Sequence, residues 1–103
     1  MDEIWAAKID LDGSIVLLHE KPTYEVLRDA VGGLIAPVQC PNGDVIYVDD
    51  EGLLKGLDPN RLAMILSRYP GLLVGPAIMV GPLDQEGDHL PLTSAAMTDL
   101  LYV

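Results

Sequence analysis

The chain has no phenylalanine, one tryptophan and one cysteine. A lone cysteine, Cys40, excludes an internal disulfide and a cysteine-rich zinc site, and it fits a reducing compartment. Cations are also scarce. Six Lys and Arg stand against sixteen Asp and Glu, a net charge of −10. That balance disfavours direct contact with nucleic-acid phosphates and docking on anionic membranes, both of which need Lys and Arg. Such acidity serves solubility, or it imitates nucleic-acid charge and occupies a DNA-binding protein. No run approaches the roughly 18 apolar residues that a membrane span needs. The longest, Leu72 to Val80, is cut by Gly75 and Pro76. The start, Met1-Asp2-Glu3, has no basic stretch before an apolar one, so no secretory leader is expected and the expected compartment is the cytoplasm.

What is present is enough for a core. Half of the 103 residues are hydrophobic. The length fits a single compact domain over residues 1–103. Apolar stretches at 4–10 and 15–18 flank Asp12-Gly13, which predicts a hairpin over 4–19. Thr23 can cap a helix whose apolar residues Val26, Leu27, Ala30 and Val31 share one face, and Gly32-Gly33 can end it. Leu34 to Cys40 and Val45 to Val48 flank Pro41-Asn42-Gly43-Asp44, and Asn-Gly predicts a type I′ hairpin. Asp58-Pro59 predicts a helix start with Asp58 as cap and Pro59 in the first turn. Leu62, Ile65, Leu66 and Tyr69 then form its apolar stripe, and Pro70-Gly71 ends it. Leu72 to Val80 lacks polar alternation and reads as a central strand covered on both faces, bent at Gly75-Pro76. Thr93 can cap a last helix, with Leu92 and Met97 as a hydrophobic staple and Met97, Leu100 and Leu101 facing the core. The expected fold class is α+β: a small, mostly antiparallel sheet of two hairpins and a further strand, with three short helices packed on one face.

The chemistry-bearing residues are few. Asp49, Asp50 and Glu51 are consecutive, and consecutive strand residues point to opposite faces, so they cannot converge on a cation without a turn. Asp84, Glu86 and Asp88 are better spaced, with His89 adjacent, but the distal Glu of a calcium loop is missing. Neither acidic group is taken as a metal site; a solvated loop accounts for each. His19 and His89 are the only histidines, too few to read a catalytic triad from order. Cys40 has no neighbouring cation in sequence to make it a nucleophile, and reads as a small buried or edge residue. Gly52-Leu53-Leu54-Lys55-Gly56 lacks the phosphate-loop order, yet it leads towards a helix start. Gly52 to Arg61 is therefore the one place for a small anion, with Lys55 and Arg61 as cations. Trp5 is a candidate interface anchor, since Trp is enriched among binding hot spots, with core packing as the simpler role.

The stretch Ile46-Tyr47-Val48-Asp49-Asp50-Glu51-Gly52-Leu53-Leu54-Lys55-Gly56-Leu57-Asp58-Pro59-Asn60-Arg61-Leu62-Ala63 resembles an uncharacterised family found in phages, chiefly of actinobacteria, and in some bacterial genomes. Asp10-Leu11-Asp12-Gly13, Val31-Gly32-Gly33 and Val74-Gly75 through Val80-Gly81 resemble further pieces of it, in order. Leu34 and Ala36 stand where an aromatic and an acidic residue are expected, and Pro76 where an acidic one is. The resemblance implies a small α+β fold and a phage or mobile-element origin, with no established activity, cofactor or catalytic residue.

The expected function is therefore non-catalytic: an accessory protein that binds a host protein to evade defence or control growth. The alternative is a protein that sequesters a nucleotide-like anion at a homo-oligomer interface, a homodimer being the commonest closed form; a hydrolase built on the acidic cluster ranks last. No cofactor is expected. The residues singled out for ligand or partner binding are Glu51, Lys55, Asn60, Arg61 and Trp5.

Overall fold

A computed structural model describes residues 3–102. Five strands form one antiparallel sheet: β1 Ala6–Ile9, β2 Ile15–Leu18, β3 Ile35–Gln39, β4 Val45–Asp49 and β5 Ala77–Val80, in the order β2-β1-β5-β4-β3. Three helices, α1 Tyr24–Val31, α2 Arg61–Ser67 and α3 Ser94–Leu101, complete an α+β fold. β5 is central, as its composition predicts, and all four of its residues are buried. It joins the two hairpins, pairing Ala6–Ile9 on one side and Val45–Tyr47 on the other. Gly75, with φ +82°, makes the bend just before it, at a backbone angle that glycine adopts without strain.

The helices do not share one face. Strand alternation splits the core into two layers. Ala7, Ile9, Ile46, Val48, Ala77 and Met79 pack towards α2 and α3, with Ala63, Leu66 and Ala96. Ala6, Val45, Ile78 and Val80 pack towards α1, with Leu27 and Val31. The expectation of helices on a single face is corrected for that reason: β1, β4 and β5 carry apolar residues at consecutive positions, and both faces need a cover.

The hairpin turns differ from expectation in kind. Gly43 has φ +97°, while Asn42 does not enter the left-handed region, so this is not a type I′ turn. Gly43 N–H donates to Cys40 O (3.1 Å) and Cys40 N–H to Asp44 O (2.8 Å). That is a type I turn closed by a left-handed glycine, in which Pro41 suits the second position. Asp10 to Ser14 repeats the pattern around Gly13, and Asp84 to Asp88 around Gly87.

Thr23 and Thr93 cap α1 and α3, accepting from Val26 N–H and Ala96 N–H. Gly32, φ +83°, ends α1. α2 starts two residues later than the Asp-Pro signal predicts, with Asn60 as its cap. Residues 58–60 are held extended instead: Asn60 N–H donates to Leu73 O, Gly75 N–H donates to Asp58 O, and Pro59 bridges Val74. The flanking residues make both bonds, so Pro59 sits where no donor is required. The buried face of α2 is Ala63, Leu66 and Ser67, whereas Ile65 and Tyr69 of the expected stripe are 57% and 45% exposed. In α3, Ala96 is buried and Met97 and Leu100 pack at the margin, but Leu101 is 76% exposed.

Candidate functional site

The central segment folds around one ion pair. β4 ends at Asp49, which is buried. The six residues after it turn back, and Lys55 Nζ reaches Asp49 Oδ2 at 2.7 Å. The other oxygen, Oδ1, accepts Glu51 N–H at 2.9 Å. Lys55 Nζ also donates to Gly32 O at 3.3 Å, tying the segment to the end of α1. The Lys55 hydrogen bond holds the Asp49 carboxyl below its ordinary value, assisted by the Glu51 amide and opposed by burial. Gly33 lies directly over the pair. A Cβ there would stand 2.7 Å from Lys55 Nζ and about 3 Å from both Asp49 oxygens. The double glycine and the Asp-to-Lys spacing are thus one construction.

Asn60 is buried and fully engaged. Its Nδ2 donates to Ile9 O (3.1 Å) and Gly75 O (2.9 Å), and its Oδ1 accepts Ala63 N–H (3.1 Å). One side chain ties β1, the bend before β5 and the start of α2. Arg61, the next residue, is exposed, as is Glu51. The structure therefore does not assemble Lys55, Asn60 and Arg61 into an anion cradle. Lys55 is turned to Asp49, and Asn60 occupies a donor at the helix start.

Other polar groups had no clear sequence signal. Asp44 is fully buried, and Thr93 donates to it twice, from Oγ1 at 2.6 Å and from N–H at 3.2 Å. The second hairpin turn is thereby fastened to the cap of α3. His89 turns from the acidic loop to Tyr47. Its Nε2 lies 2.8 Å from the Tyr47 hydroxyl and its Nδ1 2.6 Å from Gly81 O. A carbonyl only accepts, so Nδ1 carries a proton, and in the neutral ring Tyr47 donates to Nε2. Burial pushes the Tyr47 hydroxyl up. The carboxylates of Asp84, Glu86 and Asp88 converge to within 4.8 Å, but Asp84 Oδ1 is already spent on the amides of Glu86 and Asp88. Asp49, Asp50 and Glu51 do not converge: the first is buried in its ion pair and the others face solvent. Cys40 is buried, and desolvation, with Asp44 and Asp99 nearby, pushes its thiol up to about 11.

The two sheet edges differ. β3 carries Pro37 at its centre, which has no N–H for a further strand. β2 is Ile15-Val16-Leu17-Leu18, with no charge, proline or bulge. Val16 is 53% and Leu17 38% exposed. Asp10 N–H donates to Ser14 O and Trp5 N–H to Leu18 O, so the even-numbered residues of β2 bond inward to β1. Alternation then turns the backbone groups of Ile15 and Leu17 away from the sheet. Between β2 and α1 lies an open groove of about 450 Å³, lined by Leu17, Leu18, Pro22 and Val26 together with Glu20 and Lys21. Trp5, half-buried, lies on the inner side of β2, where its N–H bonds to Leu18 O.

The family model for DUF3846, a domain of unknown function, matches residues 6–102. The chain belongs to the DUF3846 family. No curated protein and no solved structure matches it. The DUF3846 match runs from the first residue of β1 past the end of α3, so it spans every element described. Within that span the two buried polar side chains of the Asp49-to-Asn60 segment, Asp49 and Asn60, hold contacts between elements of the fold. The β2 edge of this DUF3846 chain is the surface whose bonding groups and apolar side chains both face outward.

Proposed function

We propose that this DUF3846 protein is a non-catalytic accessory protein, carried by a phage or mobile element, that acts in the host cytoplasm by docking on a host protein and altering its activity. The observation that supports this reading is the exposed apolar strand β2 beside its open groove, on a chain of net charge −10. An exposed apolar strand is a solubility and aggregation liability that proteins ordinarily blunt, as β3 is blunted by Pro37. Keeping it is most economically explained by a partner that covers it. Docking is preferred to sequestration of a nucleotide-like anion because Lys55, the cation that reading needs, is already held by Asp49.

Native mass spectrometry of the tagged chain recovered from host lysate tests the reading. The expected result is one host protein in a defined ratio whose activity changes when the purified chain is added back. A retained small anion with no protein partner, or turnover of a substrate by the chain alone, would overturn it.

A further inference from the structure

Deepening the docking reading and resting on it, we propose that β2 is a strand-addition site, and that its occupant is an extended apolar segment of a partner protein with a basic residue at each end. Three observations carry this. First, the outward backbone groups of Ile15 and Leu17 offer donors and acceptors spaced for an added strand, the bonding that gives strand addition its affinity. Second, side chains on both faces of this edge are accessible. Val16 and Leu17 point to opposite faces and both are exposed, so alternate residues of an added strand meet apolar surface on either side. The groove between β2 and α1 extends that surface by one side-chain pocket.

Third, the charges select the partner. β2 itself is uncharged, but Asp10 and Asp12 stand in the turn before it and Glu20 follows it, all exposed. Ser14, by hydrogen bond, holds the Asp12 carboxyl below its ordinary value. Lys21, the cation nearest the far end in sequence, is paired with Asp88 at 3.6 Å. Lys8 lies one strand inward, opposite Val16. An incoming strand thus meets carboxylates at both ends and apolar side chains between them. A second copy of this chain suits the edge less well. Antiparallel pairing of two copies of β2 brings the acidic turn of one, Asp10 and Asp12, towards Glu20 of the other, and like charges brought together across strands are destabilising. It also brings together two chains of charge −10 each.

The test uses two synthetic peptides, Lys-Thr-Val-Thr-Val-Thr-Lys and the same sequence with Glu at both ends, titrated into the full chain and followed by backbone amide NMR. The Lys-ended peptide is expected to shift the Ile15 and Leu17 amides most, and to bind about tenfold more tightly than the Glu-ended one at low salt. Leu17→Pro removes an outward donor and Leu17→Lys adds a repelling cation; each is expected to abolish the shifts. Circular dichroism identifies any variant that has merely unfolded, and the Lys variant keeps every backbone donor. Shifts centred away from β2, equal binding of the two peptides, or a homodimer joined through β2 would each overturn the proposal. A host partner captured equally well by the wild type and by Leu17→Lys would also overturn it, while leaving the docking function intact. Absence of any partner would count against the function itself.

Discussion

Asn60 is the residue on which β1, the bend before β5 and the start of α2 converge. Replacing it with Ala removes the side-chain donors to Ile9 O and Gly75 O and the cap of α2, which together cost about 2–4 kcal/mol. Thermal melting should fall by at least ~10 °C. Asn60→Asp is the sharper case. Aspartate caps helices as well as asparagine does, but here it would aim a carboxylate oxygen at two carbonyl oxygens, so the loss should be at least as large as in Asn60→Ala. Cys40 gives a pH prediction. The unfolded thiol titrates near 8.5, and burial raises the folded one to about 11. The folded state favours the protonated form, so its stabilising contribution is full below about pH 8.5 and is lost as pH climbs towards 11. Denaturant midpoints measured across that range should fall, and Cys40→Ala should flatten part of the fall. Asp49 works in the opposite sense. Its lowered value means that its contribution is present above the usual carboxylate range and is lost as pH falls through the folded value. Lys55→Met removes the main cause, so the variant should be less stable than the wild type near neutral pH, and the gap in denaturant midpoint should close as pH falls through the carboxylate range. Sequence singled out Asn60 and Lys55 but not their roles, because their partners Ile9, Gly75 and Asp49 are brought to them only by the folded chain.

At the scale of elements, local rules were legible and competing ones were not. Thr23, Gly32 and Thr93 act as their residue types predict, since caps depend only on neighbours within a turn. Asp58-Pro59 places the cap of α2 at Asp58 by local rule, but pairing of 58–60 with 73–75 is a long-range fact that moves it to Asn60. The Asn42-Gly43 turn misleads for a related reason. Pro41 fits a type I turn, leaving only Gly43 in the left-handed region. Gly81 shows what sequence cannot state. A Cβ there would collide with the backbone oxygens of Leu90 and Pro91, so Gly81→Ala requires the segment before α3 to move. It should cost about 3 kcal/mol or abolish soluble expression, whereas Gly87→Ala, in open space, should cost only its positive-φ strain of about 1 kcal/mol. Chemical denaturation of the two variants side by side separates the causes.

For the whole molecule, the α+β class and the central strand follow from the pattern of the chain, because β5 has no polar residue to turn towards water. The need to cover both faces is also written in the consecutive apolar residues of β1, β4 and β5, but which helix covers which face is not, since it depends on which way each connection crosses the sheet. No helix among the described residues is long and apolar enough to cross a membrane. What distinguishes the assembled molecule is asymmetry: a blunted edge at β3, an open one at β2, and acidic residues around the open one. Sequence marked Trp5 and the central polar residues as the surface of interest. Only the strand order shows that Ile15 to Leu18 lies at the rim, and only the folded chain shows that Asn60 lies inside while Glu51, Lys55 and Arg61 stay exposed. The most direct test of this account is amide hydrogen exchange of the chain alone and in complex with its captured host partner. The account predicts that Ile15 and Leu17 exchange fast in the free chain while Val16 and Leu18 are protected, and that all four are protected in the complex. Protection of Ile15 and Leu17 in the free chain, or their continued fast exchange in the complex, would contradict it.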